Sequence, residues 1–280
     1  MATPMTQEIR RVPADAAGEP AGVCSDPSQS RANRVLAGLP RADLALLAEY
    51  VQIVSLGPGE VLERQDHPLE YAYFPHEGLM SLLAEAPDGA FVEAGSIGRG
   101  GAFCPICPGD EGTALSPVTA VAQTTMCASR IDAASLQIVL RKSEALKRAL
   151  SDCRHTLVCE FRQNLLCFAL HRAGQRLSRW LLERADRLES DSIVIPVSPA
   201  ELSERLGIRR TTVTVLAGKL QDVDAIRWRR SRVEIVDRTP LEATACSCYA
   251  ALRGRMNDPR EAAGVAPRGS LGGEPTNTLF

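Results

Sequence analysis

Residues 51–131 consist of short apolar runs broken by turn residues: VQIVSL, GPGEVLE, YAYFPHEG, LMSLLAE, APDGAFVEAGSIG and AVAQTTMCASRI. Short runs spaced by Gly, Pro and Asp predict strands folded into an antiparallel barrel or roll, with Pro58-Gly59 and Asp88-Gly89 as its clearest turns. Upstream, Leu36, Leu39, Leu44, Leu46 and Leu47 cluster over 33–50 and predict a short helical entry. From Asp132 to Leu188 the turn residues nearly vanish. Leu146, Leu150, Cys153, Leu157, Phe161, Leu165 and Phe168 recur at steps of three or four, on one stripe of a long helix. Such a stripe needs cover. Two covers are open, the helix's own domain or a second copy in a seam resembling a short coiled coil. The two ends of the chain are rich in Gly, Pro and polar residues without apolar periodicity. The chain therefore divides into a disordered leader (1–32), a roll (33–140), a long helix (141–172), a C-terminal domain (173–250) and a disordered tail (251–280).

Within the C-terminal domain, VSPAELSERLGI at 197–208 opens with a helix-start signature. Ser198 is placed to cap, Pro199 sits where its missing N–H is harmless, and Glu201 closes a capping box. Gly207 supplies the left-handed residue of a tight exit after Leu206, and a second helix is predicted from near Arg209. That helix buries Val213, Leu216 and Leu220 on one face and presents Arg210, Thr211, Thr214 and Lys219 on the other. Two short helices about a glycine turn, the second Arg/Thr-rich outward, make a helix-turn-helix with a recognition helix. Arginine grips guanine bidentately and threonine contacts bases or phosphates. The following IRWRRSRVEIV at 226–236 alternates apolar and basic residues about a turn at Arg230-Ser231, the pattern of a basic wing hairpin. The residues expected on double-stranded DNA are Ser198, Arg209, Arg210, Thr211, Thr212, Thr214, Lys219, Arg227, Arg229, Arg230 and Arg232. A helical hairpin with a merely solvated charged face would leave the concentrated arginines and the wing unexplained.

Charge alone does not advertise this. The net charge is −2, and only the local run at 205–232, with Arg205, Arg209, Arg210, Lys219, Arg227, Arg229, Arg230 and Arg232 against Asp222 and Asp224, forms a basic patch. No window is apolar enough to span a membrane and the N-terminus lacks the layout of a secretory signal, so a cytoplasmic protein is expected. The 9 cysteines are an odd, scattered set, and a disulfide framework is not expected. Cys104-Pro105-Ile106-Cys107 has the Cys-x-x-Cys spacing, open to a structural role, a thiol switch or a metal site. Zinc there would need Cys127, His76 or another cysteine as well. Cys246-Ser247-Cys248 is a second close pair, while Cys153, Cys159 and Cys167 read as packing residues. His67, His76, His155 and His171 show no metal-pair spacing, so surface or capping roles are expected for them, and no metal is assigned beyond the option open at Cys104 and Cys107.

On these residues the stretch from about 33 to 249 resembles the Crp/Fnr family of bacterial regulators. Leu56-Gly57-Pro58-Gly59-Glu60-Val61-Leu62, the segment 197–220 and the ending VEIVDRTPLEATACSCY carry the resemblance. It implies an α+β fold: an antiparallel, cyclic-nucleotide-binding-like β-roll, a long dimerisation helix and a C-terminal winged helix-turn-helix. It also implies a transcription regulator rather than an enzyme, a homodimer on a palindromic operator, and RNA polymerase as a further partner. Leu146, Leu150, Cys153, Leu157, Phe161 and Leu165 would then form the dimer seam.

The departures narrow these expectations. Nucleotide-binding members follow a Gly-Glu pair with an Arg-Ser in a phosphate cassette. Here the matching stretches are Arg99-Gly100-Gly101-Ala102-Phe103 and Ala114-Leu115-Ser116-Pro117, with Leu115 in the arginine's place. Burying a phosphate without that partner is unfavourable, so cyclic AMP is not the expected ligand. Only Cys24 stands where iron–sulfur members cluster cysteines, so that cofactor is not expected either. Thr211 replaces the family's usual Glu, Val215 a second Arg, and Asp224 and Ser231 two turn glycines. Two rivals are an effector- or thiol-responsive module whose helix-turn-helix contacts protein, and a thiol oxidoreductase on Cys104 and Cys107. The second lacks a thioredoxin-like pattern around the pair.

Overall fold

The apolar runs pair as alternation and turn chemistry require in the computed structural model, which describes residues 33–104, 114–188 and 193–257. Strands β1 (Gln52–Leu56), β2 (Val61–Glu63), β3 (Tyr71–Glu77), β4 (Met80–Glu85), β5 (Phe91–Ile97), β6 (Thr119–Ala122) and β7 (Met126–Asp132) form two antiparallel sheets, ordered β1-β7-β3 and β2-β6-β4-β5. Phe74, Met80, Leu82, Ala120, Met126 and Ile131 are buried in the core they share. Gly59 and Gly89 take the left-handed conformation at the two predicted turns, with φ of 85° and 83°. The entry is two helices, α1 (Arg34–Ala37) and α2 (Arg41–Ala48). Buried Asn33 starts it: its Oδ1 accepts from the N–H groups of Val35 and Leu36, and its Nδ2 donates to Pro75 and Gly101 carbonyls.

The long helical region is three helices, α3 (Ala133–Lys142), α4 (Glu144–Leu170) and α5 (Ala173–Leu188). Ser143 divides the first two, its Oγ accepting from Leu146 N–H, so the long helix starts at Glu144 rather than 141. The predicted stripe packs largely on its own domain. Leu146 and Leu150 are each 1% exposed in the roll core, and Cys153, Leu157 and Phe161 lie against that core. Leu146 and Leu150 are therefore spent on the core, Cys153, Leu157 and Phe161 are half-buried beside it, and Leu165 is 69% exposed. The apolar groups that α4 exposes are Val158, Leu165, Leu166 and Leu170. The stripe's period reports that it is buried, not by what.

Beyond α5 come β8 (Val194–Pro196), α6 (Pro199–Arg205), α7 (Arg210–Asp222), β9 (Ile226–Arg229), β10 (Arg232–Ile235), α8 (Thr239–Thr244) and α9 (Cys248–Asn257). Leu177, Leu181, Val197, Leu202, Val213, Ile226, Val233 and Leu241 are buried in a second core. Residues 251–257, expected in the tail, continue α9. Residues 1–32 and 258–280, the rest of the predicted leader and tail, lie outside the described residues. Among the described residues no helix is long and apolar enough to cross a membrane.

A buried ionic network joins the two cores. Glu93 on β5 accepts from Trp180 Nε1 at 2.7 Å and pairs with Arg184 and with Arg205, the latter at 3.6 Å. Arg205 also reaches Glu201 at 2.6 Å and the Ser81 hydroxyl at 2.8 Å, and Arg187 pairs with Glu160 at 2.9 Å. Burial works against the Glu93 charge, but the guanidiniums of Arg184 and Arg205 and the Trp180 hydrogen bond outweigh it and hold the carboxyl below its ordinary range. Burial pulls Arg184 down to about 10 against the opposing pull of Glu93 and Glu183.

Candidate nucleic-acid interface

The exposed basic surface is built from α6, α7 and the β9–β10 hairpin. Ser198, extended at φ −83° and ψ 158°, accepts from Glu201 N–H at 3.1 Å and starts α6 with Pro199 in its first turn. Its hydroxyl oxygen therefore serves as the cap acceptor, a role that leaves the O–H able to donate. The Glu201 carboxylate turns to Arg205. Gly207 then takes φ +57°, as the tight exit requires, and α7 begins after Arg209. Val213 and Leu220 are buried with Ala217, and Leu216 is half-buried. Burying that face turns the other outward: Arg209, Arg210, Thr211, Thr214, Val215 and Lys219 are exposed and Thr212 half-buried. Thr214 Oγ1 donates to the Arg210 carbonyl at 3.2 Å. A side chain at Gly218 would meet nothing within 4 Å, so a ligand's backbone can approach α7 closely there.

The wing pairs Arg229 with Arg232 and Trp228 with Val233 across the two-residue turn. Val233 is buried beneath it, leaving Arg227, Arg229, Arg230 and Arg232 exposed. Arg230, rather than Ser231, takes the left-handed conformation at φ +54°, and Asp224 adopts the same φ after α7. Gln221 Oε1 accepts from Trp228 N–H at 3.0 Å and fixes β9 to α7. Arg227 pairs with Glu234 at 3.9 Å, a long exposed contact of little energetic weight. Arg205 must be removed from the basic patch. It is buried at 3% exposure and neutralised by Glu93 and Glu201.

Residues 53–143 match the family model of the cyclic nucleotide-binding domain, and residues 175–244 match the Crp-like helix-turn-helix domain. The chain belongs to the Crp/Fnr family. As a Crp/Fnr member it is a DNA-binding transcription regulator, not an enzyme. Its fold is similar to that of FixK2 from Bradyrhizobium japonicum, at 18% identity over 70% of this chain and 98% of that one, with a TM-score of 0.58. The c-di-GMP responsive global regulator CLP of Xanthomonas campestris gives 17% identity over 70% and 99%, with a TM-score of 0.57. TTHA1359, a CRP/FNR-family regulator from Thermus thermophilus, gives 23% identity over 69% and 98%, with a TM-score of 0.55. No curated protein sequence matches the chain.

On the input side of this Crp/Fnr regulator, Leu115 is 54% exposed, and its neighbours Ala114 and Ser116 hold the chain through their carbonyls, which accept from Leu69 and Asp66 N–H. A cavity of about 670 Å³ lies between the stretch 98–102 and α4, bounded by Gly98, Gly101, Ala149, Cys153, Thr156 and Leu157. Of the Cys-x-x-Cys pair, Cys104 is buried in the roll core at 2% exposure, and Cys107 lies outside the described residues. A thiol so buried among apolar groups suits packing better than exchange. Cys127 is disulfide-bonded, where the scattered cysteines lead to no expected disulfide framework. Val215 is the α7 residue on the exposed face that the sequence reading leaves out of the DNA set. Its position between Thr211 and Lys219 on the helical period is the signal that would have included it.

Proposed function

We propose that the protein is a homodimeric regulator that reads a palindromic operator through Arg210, Thr211, Thr214 and Val215 of α7, with Arg227, Arg229, Arg230 and Arg232 of the wing on phosphate. The observation that carries this reading is the α7 face itself: Val213, Ala217 and Leu220 anchor it, and its first turns hold exposed Arg and Thr side chains that make no ion pair among the described residues. The exposed apolar groups of α4, Val158, Leu165, Leu166 and Leu170, are the surface by which two copies meet. In this reading the roll responds to neither cyclic AMP nor an iron–sulfur cluster. Support comes from Leu115, an exposed apolar side chain where a phosphate would need a cation. The cavity beside α4 has the size and mixed lining of a small-effector site.

The test is binding to operators selected from random DNA. Arg210→Ala is expected to weaken the selected site by roughly 1–3 kcal/mol and to relax preference at one base position. Arg229→Ala is expected to weaken all sequences alike and to reduce the salt slope by about one. Equal losses on every sequence for Arg210→Ala would reduce it to a phosphate contact. Absence of any retarded complex at low salt with the wild-type protein would overturn DNA reading altogether.

A further inference from the structure

Where α4 ends, three cysteines and a histidine from distant parts of the chain converge. Cys167 and His171 stand four residues apart at the end of α4, and thus on one side of it. Cys246 lies between α8 and α9, and Cys248 opens α9. One ligand atom from each of the four lies within 4.8 Å of all the others. Cys167 Sγ is 3.5 Å from Cys246 Sγ, and Cys248 Sγ is 3.4 Å from His171 Nδ1. A disulfide would need about 2.05 Å, so the sulfurs are not bonded. A tetrahedral ion with metal–sulfur bonds of about 2.3 Å sets its ligand atoms roughly 3.5–3.8 Å apart, close to these two distances, and all four atoms lie near enough for small side-chain adjustments to reach it.

The surroundings suit a closed, charged centre. The three cysteines are 1%, 5% and 3% exposed and form a small buried cluster separate from both hydrophobic cores. Gln163 Nε2 points at Cys248 Sγ from 3.0 Å, the kind of donor that orients a ligating thiolate. Arg176 and Arg179 line a crevice beside Cys167, and Arg176 Nε and Arg179 Nη1 are buried without a hydrogen-bond partner among the described residues. Three thiolates around a divalent ion leave one net negative charge, which Arg176 and Arg179, the latter also 3.4 Å from the Glu183 carboxylate, would offset.

We propose that Cys167, His171, Cys246 and Cys248 hold one zinc ion in a tetrahedral site of three sulfurs and one nitrogen that clasps the end of α4 to the α8–α9 segment. Four soft or borderline donors with no open position define a structural zinc site rather than a catalytic one. The ligand atoms are too close together to enclose a cluster of several irons with its own sulfides. On binding, each ligating thiol releases its proton to solvent, and the imidazole coordinates in its neutral form through Nδ1. The clasp straddles the break between α4 and α5 at His171-Arg172. It thereby fixes the winged domain to the helix that connects it to the roll.

The decisive measurement is metal content of the untagged full-length protein, purified under reducing conditions without added metal. About one zinc per chain is expected, retained in Cys153→Ser and Cys159→Ser and lost in Cys246→Ser and Cys248→Ser. Should those variants fail to fold, cobalt added to metal-stripped wild-type protein supplies a second reading. It is expected to give a thiolate-to-cobalt charge-transfer band and the intense visible bands of tetrahedral cobalt. Wild-type protein with no zinc above background and no such cobalt bands would overturn the proposal. So would zinc that persists undiminished in folded Cys246→Ser and Cys248→Ser, or iron in its place. None of these readouts uses DNA, so they stand or fall apart from the operator-binding reading.

Discussion

Val215 is 59% exposed on α7, beside Arg210, Thr211 and Thr214, where an apolar side chain gains nothing from water. The major groove offers it one apolar partner, the thymine methyl. Val215→Arg replaces that preference with a guanine-seeking fork. The operator selected by the variant should shift at one position per half-site toward G·C, with tighter binding to all DNA through the added charge. An unchanged consensus from parallel selections on variant and wild type would place Val215 off the bases. Gly207 and Ser198 are legible in the sequence because their roles are local, a left-handed exit and a cap. Arg205 is not, since its partners Glu93 and Ser81 are supplied by strands far upstream. Cys167 and His171 fail the same way: their spacing is that of a helical ligand pair, but the other sulfurs arrive from beyond the wing.

At the scale of the element, α4 has two apolar sides with different consequences. The side of Leu146 and Leu150 completes the roll, whereas Val158 and Leu165 lie about a quarter of a turn around the helix and stay outside. Leu150→Ala should therefore destabilise the fold by about 2–5 kcal/mol without altering the monomer–dimer balance of the folded protein. Leu165→Asp should do the reverse, leaving thermal stability of the chain's own cores nearly intact and shifting sedimentation toward monomer. An unchanged sedimentation coefficient for Leu165→Asp would move the seam off this face. Periodicity locates the strands, the long helix and the helix-turn-helix because each period is a property of the element. It divides one stripe between two partners only when the roll's own surface is known.

For the molecule as a whole, the network around Glu93 explains why a net charge of −2 conceals so much: several charges counted in it are spent inside, between the roll and the winged domain. Removing one member leaves the others buried and unpaired. Glu93→Gln keeps the acceptor for Trp180 but strips the counter-charge from Arg184 and Arg205, which should destabilise the protein by about 3–5 kcal/mol at neutral pH. Because the folded carboxyl is held below its ordinary 4.5, its contribution is fully present above that value and is lost as pH falls through the folded value. Glu183 acts oppositely: burial raises it, so the folded state favours its protonated form and its term becomes more favourable as pH falls. The wild-type acid limb mixes the two, and the variant isolates the Glu93 part. Thermal unfolding of wild type and Glu93→Gln should show a wide gap at neutral pH that narrows steadily below about pH 4.5, as the wild-type carboxyl also loses its charge. A gap that stayed constant down to about pH 3 would mean that shape and hydrogen bonding, not charge, lock the winged domain to the roll.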